Sequence, residues 1–218
     1  MESCSDRFKK NRLFFICVFV WLVVTGYMAF VVGKAESFFL INHARSYFLD
    51  ILGTVFTFIG DGKFIVILAV LLFILRKRAI SLTLLGSFLF SGLVVQLFKK
   101  NTWIERPKIW PGTKGNVLTA SWEKLMDWNS FPSGHTTSAF AAACVLSLFT
   151  NNNKLRVLYF IIACCVGYSR IYLGEHFMED VFAGTLFGLL GGSICFIIQW
   201  KITHKRNSKN QIPNPNAQ

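Results

Sequence analysis

The stretch LFFICVFVWLVVTGYMAFVV, Leu13 to Val32, contains twenty residues and no charge. A helix needs about 20 apolar residues to cross the hydrocarbon core of a bilayer. The segment therefore reads as a membrane span. It is too long for the apolar part of a cleaved signal peptide, and no small-residue cleavage site follows it. The rest of the chain agrees. Of its 218 residues, 53% are hydrophobic and 16% are charged, against about 25% charged in an ordinary soluble domain. A soluble globule of this size could not hide so much apolar surface. The composition excludes a soluble enzyme, a disordered chain and a secreted disulfide scaffold.

Five further spans follow, at Gly60–Leu75, Ile80–Phe98, Thr136–Phe149, Val157–Leu173 and Phe177–Trp200. Ala35–Ile59 mixes apolar residues with Glu36, His43, Arg45 and Asp50 and reads as an interfacial helix or helix pair. Gly60-Asp61-Gly62 breaks it, with Asp61 a turn or helix-start residue. The expectation is an all-α polytopic membrane protein with a six-helix bundle. A single domain spans residues 1–200, and a basic, disordered tail covers 201–218. Gly184, Gly188 and Gly192 place a small residue every fourth position of the last span. That spacing permits close helix packing, read here as internal to the chain. Cys17, Cys144, Cys164, Cys165 and Cys195 lie within spans and Cys4 in the N-terminal head; none has zinc-ligand spacing with a histidine.

Six spans put both termini on one side. With the second–third and fourth–fifth loops, that side carries thirteen Lys and Arg against two acids, a net +11. The other side carries ten against nine, a net +1, and together they make the +12 of the chain. Lys and Arg clusters near span ends, such as Arg76-Lys77-Arg78, stay cytoplasmic. The termini are therefore expected in the cytoplasm of a plasma or inner membrane, and the opposite face outside it. Basic residues scattered at span ends argue against nucleic-acid binding.

Chemistry-bearing residues collect on the outer face. Lys99 precedes Arg106-Pro107 in the long polar loop Lys99–Pro132. Pro132-Ser133-Gly134-His135 opens the fourth span. Ser169-Arg170, His176 and Asp180 cross the last turn between spans. Three cations that can converge suit a phosphate, Arg as a planar fork and Lys as a point charge. Ser133, Gly134 and His135 sit at a helix N-terminus, where free N–H groups and the helix dipole favour an anion. His176 and Asp180, four apart, share a helix face, and an Asp beside a His sets its tautomer. With His135 from another helix, one histidine can attack while the other donates a proton. Each element alone has a plainer reading. Lys99 could snorkel, Arg170 could anchor the interface, Ser133 could only cap, and His176 with Asp180 could only start a helix. His43 lies outside these blocks and reads as structural. The plainer readings must all hold together, on one membrane face, to displace the chemical one.

At these residues the sequence resembles the type 2 phosphatidic acid phosphatase superfamily, which shares its site with the vanadium haloperoxidases. The pattern is Lys, six residues, Arg-Pro; then Pro-Ser-Gly-His; then Ser-Arg, five residues, His, three residues, Asp. All eleven specified positions match, between Lys99 and Asp180. The resemblance implies that His176 is the nucleophile, forming a phosphohistidine, and that Asp180 orients it. It makes His135 the general acid. Lys99, Arg106, Ser133, Gly134 and Arg170 would hold the phosphoryl oxygens, with Ser169 a supporting or phosphate-contacting residue. No metal and no cofactor is expected, because the cations supply a metal's charge stabilisation. The expected substrate and partner is a lipid phosphate or diphosphate among membrane lipids. Candidates are an isoprenoid diphosphate, phosphatidylglycerol phosphate, phosphatidic acid or a lipid A phosphate. A lipid phosphotransferase would use the same site. A haloperoxidase is disfavoured by the spans, and a non-catalytic transporter or scaffold by the intact motif.

Overall fold

The computed structural model describes residues 3–210, and these are all-helical apart from loops and one isolated bridge between Glu105 and Trp128. In chain order the helices are α1 Cys4–Lys10, α2 Arg12–Tyr27, α3 Lys34–Asn42, α4 Tyr47–Gly60, α5 Gly62–Ile74, α6 Arg78–Asn101, α7 Gly134–Phe149, α8 Asn153–Tyr172 and α9 Met178–Asn210. A π-helical turn, Met28–Val32, extends α2. The starts follow from capping. Ser46, Asp61, Ser133 and Asn152 each accept a backbone N–H of the first turn with a side-chain oxygen, at α4, α5, α7 and α8.

Among the described residues four helices are long and apolar enough to cross a membrane: Arg12–Val32, Arg78–Asn101, Asn153–Tyr172 and Met178–Lys205. The second expected span differs. Helix α5 is only 13 residues, about 20 Å at 1.5 Å per residue. Together with α4 it is long enough, with a 58° bend between the two. Gly60-Asp61-Gly62 is thus a bend inside an apolar pair, and only α3 remains of the interfacial stretch expected over Ala35–Ile59. The fourth expected span, α7, has 16 residues, about 24 Å against a core of about 30 Å. Every residue from Thr136 to Val145 is buried, so other helices, not lipid, surround it. Among the described residues the six expected spans become four single helices, one bent pair and one short central helix. The last helix continues to Asn210, past Lys201 where the tail was expected to begin. The end of that expected tail, Ile212 to Gln218, lies outside the described residues.

The core is the contact of α7 with α9. A Cβ at Gly184 would stand 2.7 Å from the Ser133 carbonyl oxygen, one at Gly188 2.5 Å from that of Thr137, and one at Gly192 2.9 Å from that of Ala141. The glycine stripe is therefore used inside the chain, bringing two backbones into contact. Phe14, Phe140, Leu148 and Phe196 fill the space between α2, α7 and α9. Large apolar side chains such as Phe19, Phe30, Ile67, Leu93 and Ile202 stay exposed around the outside, as a lipid-facing surface requires. The protein is an integral membrane protein. Its packing gathers the C-termini of α6 and α8, the N-termini of α7 and α9 and the α4–α5 bend at one end of the bundle.

Candidate active site

At that end His176 is 1% exposed and Asp180 is fully buried. His176 lies in the short connection between α8 and α9, and Asp180 lies in the first turn of α9. His176 Nδ1 is 3.2 Å from Asp180 Oδ2. The same oxygen accepts the Phe177 N–H at 2.9 Å and the Ser130 hydroxyl at 2.5 Å. The carboxylate is thereby immobilised, and with Nδ1–H donated to it the imidazole lone pair lies on Nε2. Burial, then the positive charges of Arg106, Lys99 and Arg170, hold His176 well below the ordinary imidazole range. The ring is neutral, the state a nitrogen nucleophile needs.

His135, in the first turn of α7, comes from the opposite side, with its Nε2 3.7 Å from Asp61 Oδ2 at the α4–α5 bend. Lys99, from the last turn of α6, lines an open-sided groove of about 540 Å³ together with Gly134 and His135. Phe88, Leu89 and Leu93 continue the groove as an apolar wall. Lys99 also feels the charges of Arg106, Asp180, Arg170 and Glu175.

The two arginines are buried, each about 5% exposed. Arg106 ties the long loop to the site. Its N–H donates to the Asp127 carbonyl at 2.9 Å, and its Nε donates to the Trp128 carbonyl at 2.9 Å. Its Nη1 donates to the Glu175 carbonyl oxygen at 3.2 Å and to the Glu175 carboxylate. Arg170 Nη2 stands 3.7 Å from the same carboxylate. Arg170 Nη1 donates to Thr57 Oγ1 at 2.9 Å, and Thr57 shares a 3.0 Å hydrogen bond with Ser169. Ser169 thus supports Arg170 through Thr57. Ser133 is fully buried and serves as the α7 cap, accepting from Thr136 N–H at 3.4 Å and from the Thr136 hydroxyl at 2.9 Å. A Cβ at Gly134 would meet nothing within 4 Å, so space adjoins this helix start.

The structure therefore brings Lys99, Arg106, Gly134, His135, Arg170, His176 and Asp180 to one end, with Ser133 and Ser169 holding neighbours in place. Four residues there were not singled out for chemistry from the sequence: Ser130, Glu175, Thr57 and Asp61. Ser130 and Glu175 lie beside motif residues, so proximity to the motif was their one signal. Thr57 comes from the segment read as interfacial and Asp61 from the break that ends it, read as a turn or helix-start residue, and neither carried a chemical signal. His43 has a structural place, its Nε2 3.0 Å from the Asn116 carbonyl oxygen and its ring tilted against that of Phe39, with centroids 4.7 Å apart. Among the described residues no three His, Cys, Asp or Glu side chains gather as a metal site.

The arrangement has relatives. Residues 80–204 match the family model described as the PAP2 superfamily. A lipid A 1-phosphatase of Rhizobium etli is 31% identical over 157 residues, which is 63% of this chain and 66% of that protein. The chain thus spans slightly less than two thirds of that relative. Phosphatidylglycerophosphatase B of Bacillus subtilis is 31% identical over 159 residues, covering 67% of this chain and 73% of the relative. Among solved structures, LpxE of Aquifex aeolicus superposes with a TM-score of 0.66 at 36% identity, over 77% of this chain and 94% of that one.

Proposed function

The chain belongs to the PAP2 superfamily, and from that premise we propose that it is a lipid phosphate phosphatase acting through a phosphohistidine. The observation that carries the reading is the buried His176–Asp180 pair beside Arg106, Arg170 and Lys99. A nucleophile on its orienting carboxylate, within a cluster of cations, has the parts that phosphoryl transfer needs. His176 Nε2 attacks phosphorus, forming an N–P bond as the bond to the lipid oxygen breaks. His135 gives that oxygen its proton, so a monoester releases the lipid alcohol and a diphosphate releases the lipid monophosphate. His135 then takes a proton from water, whose oxygen attacks phosphorus and breaks the N–P bond. Inorganic phosphate and His176 are restored. Lys99, Arg106, Gly134 and Arg170, with Ser133 at the helix cap, stabilise the phosphoryl oxygens, and Asp61, 3.7 Å from His135 Nε2, orients that ring. No step calls for a metal.

The groove running from Lys99 and His135 along Phe88 and Leu93 supports a substrate whose phosphate lies at headgroup depth and whose chain stays among helices. The relatives named as lipid A and phosphatidylglycerol phosphate phosphatases support the same class. Isoprenoid diphosphates and phosphatidic acid share its chemistry.

The test is phosphate release by purified protein in detergent across these four lipids, in the presence of EDTA. Release from at least one is expected, with His176→Ala lowering it by about a thousandfold or more. A labelled phosphate that appears on an acceptor lipid and never in solution would make the protein a phosphotransferase instead. Full activity in His176→Ala would refute the mechanism.

We also propose that the site faces the outside, on the strength of the Lys and Arg clusters at the other end. A membrane-impermeant thiol reagent should reach a cysteine introduced at Asn116 of intact cells and miss one at Asn152. The reverse pattern would invert the topology.

A further inference from the structure

Glu175 has no part in the proposed reaction, yet it is 5% exposed and touches both arginines of the site. Its backbone is pinned. The Glu175 N–H donates to the Arg170 carbonyl at 3.0 Å, and its own carbonyl oxygen accepts from Arg106 Nη1 at 3.2 Å. Gly174, at φ +81, makes the turn that brings it there. The carboxylate is a different matter. It hangs on three side-chain torsions, so it can turn away without moving His176. Its Oε2 accepts from Arg106 Nη1 and lies 3.7 Å from Arg170 Nη2. Those are guanidinium donors that a phosphoryl oxygen would need, and a carboxylate satisfies an arginine fork in the same way.

We propose that the Glu175 carboxylate is an internal counter-anion, occupying the Arg106–Arg170 position in the empty site and competing with every oxyanion that enters. This rests on the reading of Arg106 and Arg170 as phosphate-holding groups. Charge supports it. Lys99, Arg106 and Arg170 bring three positive charges, and Asp180 and Glu175 bring two negative ones. A phosphate dianion entering beside an unmoved Glu175 leaves the cluster one negative charge in excess. With Glu175 swung aside, the dianion balances the three cations and Asp180. In the empty site the carboxylate offsets the mutual repulsion of buried guanidinium groups. In the occupied site it favours departure of inorganic phosphate by reclaiming its donors. A carboxylate that merely braced the arginines would behave oppositely, because its removal would disorder them and weaken anion binding.

Titration calorimetry of the detergent-solubilised full chain with orthovanadate, and separately with inorganic phosphate, distinguishes the two and needs no turnover. Glu175→Gln keeps the shape and an acceptor for Arg106 while removing the charge. It should bind both probes about tenfold more tightly than wild type, the scale of relieving one like-charge contact. Glu175→Asp, which withdraws the charge by one methylene, should gain less and provides the reading if Glu175→Gln does not fold. Arg170→Gln is the control and should bind more weakly than wild type. Unchanged or weaker binding in the Glu175 variants, with Arg170→Gln weakened, overturns the competing-anion role and leaves the site reading intact. Unchanged binding in Arg170→Gln overturns the site reading itself.

Discussion

Helix α8 carries a buried arginine at each end, Arg156 and Arg170, at 3% and 5% exposure. Each leaves its Nε without a hydrogen-bond partner. Burial and an orphan nitrogen therefore do not tell them apart; their surroundings do. Arg156 spends its guanidinium on neutral oxygens, the Lys10 carbonyl at 2.8 Å, the Thr150 carbonyl at 2.7 Å and Asn153 Oδ1 at 2.5 Å. It ties the first turn of α8 to the end of α7 and to α1. Arg170 sits instead beside Arg106 and Lys99, with Glu175 between the arginines and a neutral His176 close by. Arg156 has one like charge acting on it, Arg7, whereas Arg170 shares its space with two, Arg106 and Lys99, and crowding like charges costs free energy. An incoming anion recovers that cost. One end of the helix is stitched, while the other gathers the cations that the proposed reaction uses to hold phosphate.

The largest expected effect is at the site end. Arg170→Ala should lower kcat/KM by about a hundredfold to a thousandfold, the range for losing one donor to a developing oxyanion. Its thermal midpoint should stay close to wild type. A variant that unfolds instead would erase the contrast, because Arg170 would then be a structural residue like Arg156.

Arg156→Ala should do the reverse. It leaves buried carbonyl oxygens at the junction of α1, α7 and α8 without their donor, at about 1–3 kcal/mol. Denaturation in detergent should show that loss, while turnover per folded molecule stays at the wild-type level. A collapse of turnover in the folded fraction would break the division of labour between the two ends.

The smallest effect is a trace of the cation cluster in the pH dependence of stability. His176 is held below its unfolded value, about 6.5, by burial and by Arg106, Lys99 and Arg170. As pH falls below that value the unfolded chain takes up a proton that the folded one refuses, so stability falls with pH. Above it the group contributes no pH dependence. The thermal midpoint should therefore drop less between pH 7 and 5 in His176→Asn than in wild type. Parallel curves for the two proteins would show that His176 is not held below its unfolded value.

Much of this was legible beforehand. Membrane residence, helical class and the identity of the clustered residues followed from uncharged runs and from blocks placed at their ends. The glycine stripe correctly announced close packing. The second and fourth spans were harder, because hydropathy measures how apolar a segment is and not what surrounds it. Helix α7 is too short for lipid and is tolerated because other helices enclose it. The Gly60-Asp61-Gly62 break was visible, but a turn signal does not say whether the chain stops or bends.

The sequence by itself determined that this protein is an integral membrane helical bundle with its chemistry-bearing residues gathered at one end. Those facts depend on local composition, and on the order in which spans alternate across a bilayer. The tertiary structure alone decided the partners. Ser130 reaches Asp180 across 50 positions, Glu175 meets Arg106 across 69, and Arg170 finds Thr57 across 113. Electrostatic coupling depends on distance in space and on the exclusion of water between charges. Separation along a chain carries neither, so a glutamate beside a motif histidine becomes an occupant of the site only after folding brings both arginines to it.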